Sequence, residues 1–191
     1  MPQTIYIKNM VSKRCLQTVQ QILVDMRLPF NKVNLGSIEL QKPIEPAQKN
    51  ELKLAIQQAG FEILIDKEQQ LIEQIKLAVL EMIYFGNNLN TIIRNSDYLS
   101  DKIGKSYAYI SKHFSDTTGH TIEKYIILVK LERVKELLSY NEMTLSEISY
   151  QMGYSSVQHL SNQFKQVTGM SVSEFKALKI KPRTPLDELI P

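Results

Sequence analysis

The chain has 191 residues, 23 Lys and Arg against 20 Asp and Glu, a formal net charge of +3 and one cysteine. The length suits two domains, the charge excludes a polycation that holds its partners by bulk attraction, and a lone thiol excludes an internal disulfide and fits a reducing cytoplasm. No apolar run approaches bilayer-spanning length and the first residues lack a signal-peptide pattern, so a cytoplasmic protein without a membrane partner is expected.

In the first third, Ile5 and Ile7 alternate with Tyr6 and Lys8 as in a short strand. Leu16, Val19, Ile22, Leu23 and Met26 mark one face of a helix that ends before Pro29. Val33 and Leu35, then Ile38 and Leu40, give two strand phases around Gly36, which reads as either a bulge or a tight hairpin. Leu52, Ala55, Ile56 and Ala59 form a second helical face stopped by Gly60, and Phe61, Ile63 and Ile65 finish as a strand. The order β-α-β(β)-α-β predicts a small open sheet with two helices on one face.

Residues 3 to 66 resemble the heavy-metal-associated, ferredoxin-like domain of copper chaperones and metal-transporting ATPases. The resemblance rests on Ile7-Lys8-Asn9-Met10-Val11-Ser12-Lys13-Arg14-Cys15 and on Ala59-Gly60-Phe61. It implies a C-x-x-C loop at the first strand-helix junction, but Ser12 stands at the first of the two cysteine positions. Two thiolates hold a soft cation such as Cu(I) in near-linear geometry, whereas one thiolate and a hydroxyl do not hold it tightly. No cofactor is therefore expected. Cys15, with Met10 nearby in sequence, is the one candidate ligand left; its other readings are a half-buried packing residue and a redox-sensitive thiol. His113, His120 and His159 are spaced for no recognisable metal site.

After a junction around Asp66 to Leu71, Leu71, Ile72, Ile75, Val79, Met82 and Ile83 predict an amphipathic helix that ends near Gly86-Asn87-Asn88 and packs on the next helical pair. No Pro/Gly/Ser linker intervenes, so the two parts read as coupled.

An internal repeat dominates the rest. Tyr109-Ile110-Ser111-Lys112-His113-Phe114 aligns with His159-Leu160-Ser161-Asn162-Gln163-Phe164, and the match continues through Thr118-Gly119 and Thr168-Gly169, Thr121 and Ser171, Ile122 and Val172, Tyr125 and Phe175. Apolar and small positions agree while exposed polar ones differ, Lys112 standing against Asn162 and His113 against Gln163. In the second copy Thr144-Leu145-Ser146-Glu147 is a capping box, Gly153 ends the helix it starts, Ser155 or Ser156 caps the next, Gly169 stops that one, and Ser171-Val172-Ser173-Glu174 opens another. The first copy has Asn95 or Ser96 as cap, Gly104 as stop, Ser106 as the next cap and Gly119 as the next stop. Short helix, glycine turn, helix is helix-turn-helix grammar. Ile103, Ile110 and Phe114, like Met152, Leu160 and Phe164, are its core residues. Between the copies Ile122, Tyr125, Ile126, Val129, Leu137 and Leu138 recur at helical spacing, with Thr121 as cap and Asn141 near the end.

Residues 71 to 180 resemble the DNA-binding domain of AraC-type transcription regulators. The pattern that carries the resemblance is Ile148-Ser149, Met152-Gly153-Tyr154-Ser155-Ser156, His159-Leu160-Ser161, Phe164-Lys165, Thr168-Gly169 and Val172-Ser173-Glu174-Phe175. Ser149 replaces the usual Ala, His159 a common aromatic and Ser173 a frequent Pro. The resemblance implies an all-α domain of two helix-turn-helix units joined by one long helix, with recognition helices entering successive major grooves about 34 Å apart. Because the two copies differ, the expected DNA site is asymmetric. Candidate base readers are Tyr107, Ala108, Ser111 and Lys112 in the first copy and Val157, Gln158, Ser161 and Asn162 in the second. Gln158 and Asn162 suit adenine, Lys112 guanine, and Ala108 or Val157 a thymine methyl.

Basic residues cluster here, seven against three acidic between Lys102 and Lys135, and five against one from Gln158 to Arg183, which suits phosphate contacts. The tail from Lys181, with Pro182, Pro185 and Pro191, is expected to be extended or disordered. The fold expected is thus an α+β ferredoxin-like domain over 1–66, an all-α double helix-turn-helix domain over 67–180 and an extended tail over 181–191. The function expected is a sequence-specific DNA-binding transcription regulator, a monomer or homodimer with double-stranded DNA as partner and RNA polymerase as a further candidate. The alternative is a soft-metal or thiol-redox handling protein with a partner-binding helical domain. No Ser/His/Asp or Cys/His arrangement, phosphate loop or H-E-x-x-H is present, so no enzyme is expected.

Overall fold

The computed structural model of the chain describes residues 2–86 and 94–190. They fall into two compact units, Met1–Leu77 and Ala78–Pro191. No helix among the described residues is long and apolar enough to cross a membrane.

The first unit runs β1 (Gln3–Lys8), α1 (Lys13–Asp25), β2 (Phe30–Asn34), β3 (Ser37–Leu40), α2 (Pro46–Gln58), β4 (Glu62–Leu64) and the first turns of α3 (Lys67–Tyr84). Its four strands form an antiparallel sheet in the order β2-β3-β1-β4. Strand alternation turns Ile5, Ile7, Ile38 and Leu40 inward, where they meet Val19 and Leu23 of α1 and Leu52 and Ile56 of α2 in one buried cluster. Of the two readings of Gly36 the tight hairpin is the one seen: it sits in the β2–β3 turn with φ +78°, while the register slip falls between Phe30 and Lys32, away from the glycine. A Cβ on Gly36 would push aside the Leu77 Cδ1 methyl of α3, and the positive φ is what makes the turn favour glycine.

The last strand differs from expectation. Ile65 lies beyond it at 72% exposure, whereas Leu64 is buried. The reason is that the opposite sheet face is also in use: Gln70 Nε2 of α3 donates to the Leu64 carbonyl at 2.9 Å, and the Asn9 backbone N–H donates to Glu73 Oε1 at 3.1 Å. The expected phase holds for Phe61 and Ile63, which pack on the core, and only the end of the strand falls earlier than expected.

The second unit comprises the end of α3, then α4 (Asn95–Ile103), α5 (Tyr107–Thr118), α6 (Ile122–Tyr140), α7 (Leu145–Gln151), α8 (Val157–Thr168) and α9 (Val172–Ala177), followed by a short 3-10 turn at Leu186–Glu188. Helix α3 ends at Tyr84, two residues before Gly86; the Asn87-Asn88 part of that expectation lies outside the described residues. Helix α6 organises the unit. Its first half buries Ile122, Tyr125, Ile126 and Val129, and the Tyr125 ring lies 5.8 Å from Phe114 of α5. Its second half contributes Leu131, Val134, Leu137 and Leu138 to a cluster with Ile148, Met152, Leu160, Phe164 and Phe175. The expected core residues are buried except Ile103, which is half-buried.

The tail, expected to be extended or disordered, is tied to the helical core. Arg183 and Thr184 hydrogen-bond to Glu132 of α6, and Ile190 is buried at 2% exposure. Its prolines rule out a long helix but not a docked extended path, because backbone donors and side chains remain available to bind a neighbour.

Candidate nucleic-acid interface

The duplication seen in sequence persists down to single hydrogen bonds. Helices α5 and α8 are each 12 residues long. Ser106 caps the first by accepting from the Tyr109 N–H, and Ser156 caps the second by accepting from the His159 N–H. Both end on a left-handed glycine, Gly119 and Gly169, a conformation that costs other residues more. At their ends Thr118 Oγ1 donates to the Phe114 carbonyl and Thr168 Oγ1 to the Phe164 carbonyl, each at 2.7 Å. Beyond the turn Thr121 caps α6, and Ser171 with Glu174 makes the capping box of α9. Phe164 meets Phe175 at 5.5 Å as Phe114 meets Tyr125.

The helices that precede differ more. Helix α7 begins with the expected box, the Glu147 carboxylate accepting from the Thr144 N–H at 2.7 Å. That bond and the one from the Thr144 hydroxyl hold the Glu147 carboxyl below its ordinary range. Helix α4 begins after Arg94, with no side-chain cap bond, so neither Asn95 nor Ser96 is the cap. Both lie inside the first turn, where Ser96 Oγ donates instead to Asp97.

The eight expected reader residues occupy equivalent places. In each helix they are the first, second, fifth and sixth residues, a spacing that puts them on one face. Ala108, Lys112, Gln158 and Asn162 are exposed; Tyr107, Ser111, Val157 and Ser161 are half-buried along the same edge. Scaffold and exposure are alike, but the chemistry is not. In α8 Gln158 Nε2 donates to Asn162 Oδ1 at 2.7 Å, so the two amides form one unit. In α5 the equivalent pair, Ala108 and Lys112, offers a methyl and a cation. Tyr107 is engaged inside the protein: its hydroxyl donates to Glu123 Oε1 of α6 at 2.5 Å. Burial and that bond raise the Tyr107 hydroxyl above its ordinary value, and the same bond lowers Glu123.

Sequence reasoning passed over a further set of groups beside these residues. Lys105 Nζ stands 5.7 Å over the ring of Tyr109, which stacks at 4.1 Å on His113. In the other copy Ser155 Oγ and His159 Nδ1 lie 3.1 Å apart, the His159 ring meets Tyr154 edge-on at 5.3 Å, and the Tyr154 hydroxyl donates to Gln163 Oε1 at 2.8 Å. Burial pushes the Tyr154 hydroxyl up to about 12. The detectable signal was the i, i+4 spacing of Tyr109 and His113, which places two rings on one flank of α5.

At the first strand-helix junction, Ser12 Oγ lies 3.3 Å from Cys15 Sγ, Cys15 is half-buried and Met10 is fully buried. Among the described residues no three His, Cys, Asp or Glu side chains gather so that they could hold a metal ion.

A family profile described as "Helix-turn-helix domain" matches residues 99–177, from inside α4 to the end of α9. The C-terminal region thus carries a helix-turn-helix domain. The chain is similar to the xylose operon regulatory protein of Escherichia coli strain K12, 21% identical over 202 residues that cover 92% of this chain and 52% of that protein. It is also similar to the Msm operon regulatory protein of Streptococcus mutans serotype c, 32% identical over 78 residues that cover 41% of this chain and 28% of that one. The chain spans about half the length of the first of these relatives, and less of the second. Among solved structures it is similar to transcriptional regulator CdpR from Pseudomonas aeruginosa, with a TM-score of 0.48, 12% identity and coverage of 84% of this chain and 51% of that one.

Proposed function

We propose that this protein is a sequence-specific DNA-binding transcription regulator in which α4–α5 and α7–α8 are two helix-turn-helix units. Helices α5 and α8 insert into successive major grooves of one duplex, and α6 sets their separation. The single observation that carries this reading is the pair of 12-residue helices with the same caps, stops and core contacts, presenting unlike side chains at equivalent exposed positions. A fold that merely needed two helical hairpins would have no use for that combination of sameness inside and difference outside. The profile match over residues 99–177 and the names of the two operon regulators support it.

The direct readers are Ala108, Ser111 and Lys112 in α5 and Val157, Gln158, Ser161 and Asn162 in α8. Tyr107, its hydroxyl held by Glu123, reads through its ring edge. Lys112 donates to guanine, the Gln158–Asn162 pair addresses adenine, and Ala108 and Val157 touch thymine methyls. The site is asymmetric because the two helices are. Residues 1–66 form a ferredoxin-like module, a reading supported by the β-α-β-β-α-β order and the strand order β2-β3-β1-β4; residues 67–180 form the DNA-binding module.

The test is selection from a random duplex library with the purified chain. The expected product is a non-palindromic motif of two blocks about one helical turn apart. A single block, a palindrome or no enrichment would overturn the two-reader arrangement.

A further inference from the structure

The tail seats itself on a carboxylate that could not stay buried alone. Glu132 sits in the middle of α6 and is only 3% exposed. Its Oε2 accepts from Arg183 Nε at 3.0 Å and from the Thr184 backbone N–H at 3.1 Å, while its Oε1 accepts from Lys135 Nζ at 2.5 Å. Two of these three donors come from the tail, more than fifty residues away in sequence. Around them, Arg183 Nη2 lies 3.6 Å from Glu136 Oε2, Arg133 Nη1 lies 3.1 Å from the same oxygen, and the Arg133 guanidinium stands 5.1 Å from the ring centre of Tyr84 at the end of α3. Burial, then the charge of Glu136, pushes the Tyr84 hydroxyl up to about 12. Farther along, Ile190 is buried. A charge taken out of water must be paired, and removing one partner of such a group is far costlier than never having buried it. Lys135 pairs with Glu132 from within α6, and the tail supplies the other two donors that make its burial tolerable.

We propose that residues 181–190 are a latch on α6, with Glu132 as the positioning residue that fastens it, and that the latch keeps α6 straight and fixed between the two helix pairs. Binding to a two-block duplex then depends on a segment that touches no base. Each pair has its own core, Phe114 with Tyr125 and Phe164 with Phe175, so recognition of one block alone does not depend on the latch. The functional half of this proposal rests on the DNA-binding reading of the two helix pairs; the structural half does not.

The test uses the 191-residue chain and three variants. Thr184→Pro removes the backbone donor without changing charge, Arg183→Ala removes the guanidinium, and Arg183→Lys restores the charge without the Nε geometry. Amide hydrogen exchange is followed in peptides covering 129–136 and 181–190, and affinity is measured for the selected two-block duplex and for each block alone. Thr184→Pro should speed exchange in both peptides about tenfold or more, and should weaken two-block binding about fivefold or more while single-block binding stays within about twofold. Arg183→Ala should do the same, with a small uniform loss on every duplex from its missing charge, which Arg183→Lys recovers. Unchanged exchange in 129–136 would overturn the latch. Faster exchange with equal losses on two-block and single-block duplexes would overturn its role in spacing. If the wild-type chain selects no duplex, the DNA-binding reading fails and the exchange data alone judge the latch.

Discussion

Replacing Asn162 by Ala probes the reader face at its most specific point. In the free protein Asn162 Oδ1 is taken by Gln158 Nε2 at 2.7 Å, which leaves the Asn162 NH2 and the Gln158 carbonyl oxygen as the outward donor and acceptor. That pattern is complementary to the N6 donor and N7 acceptor of adenine. A good bidentate amide contact is worth about 1–3 kcal/mol of discrimination, so Asn162→Ala should weaken the selected duplex by roughly 5- to 150-fold. On a duplex changed at the cognate base the same variant should lose no more than about twofold, because the contact is already missing there. Gln158→Ala should act similarly. The double variant should lose less than the sum of the singles by about 0.5–3 kcal/mol, since removing either amide disorders the other. Competition binding of the four proteins against duplexes varied one base pair at a time measures all of this. A uniform loss across all duplexes would make Asn162 a backbone contact, and strictly additive losses would show that the two amides do not read as a unit.

The remaining predictions concern the scaffold and the electrostatics. Phe114→Ala and Phe164→Ala, both at fully buried positions, should each cost about 3–5 kcal/mol in denaturant unfolding followed by far-ultraviolet circular dichroism; a cost under about 1 kcal/mol would contradict their place in the core. Thr144→Ala removes the cap of α7 and should cost about 1 kcal/mol in the same assay. Glu123 is held below its ordinary value of 4.5 first by the Tyr107 hydroxyl, so its contribution to stability is present above that pH and lost as pH falls through its lower folded value. Tyr107→Phe should flatten that acid limb of the stability curve, and an unchanged limb would show that the bond is not formed in solution. DNA affinity should fall steeply with salt, and Lys105→Ala should reduce the slope of log affinity against log salt by about one while leaving base preference unchanged.

The readable part of the sequence was its local chemistry. Each cap of the second copy uses a hydroxyl and, in two cases, a glutamate three residues on, groups that satisfy backbone donors only a turn away. Such signals need no knowledge of the rest of the fold. Helix α4 shows where residue type stops deciding: Asn95 and Ser96 are both good caps by type, yet the cap position falls one residue earlier at Arg94, where no side chain accepts. Ile65 fails for another reason: the phase read from Phe61 and Ile63 is right, but β4 stops at Leu64 and Asp66 already accepts from the first N–H groups of α3, so Ile65 falls in the turn between them. On the reader face the positions were legible from exposure and spacing, but the Gln158–Asn162 bond and the Tyr107–Glu123 tie were not, since rotamers decide them.

Glu132 marks the boundary between what a one-dimensional reading can and cannot find. In sequence it is one acidic residue in the basic run from Lys102 to Lys135, and the natural inference is a solvated helix face. Nothing within a helical turn except Lys135 distinguishes it. Its meaning comes from Arg183 and Thr184, which are ordinary residues in a proline-bearing tail and carry no motif of their own. Prolines forbid a continued helix, and that much is legible; they also leave available an extended segment whose free N–H groups need acceptors, and that is not. A buried carboxylate and the backbone N–H of Thr184 are complementary needs. Where a helix places an acidic residue on a face otherwise filled with apolar side chains, as α6 does between Val129 and Val134, a distant extended segment carrying an arginine is the first place to look for its partner.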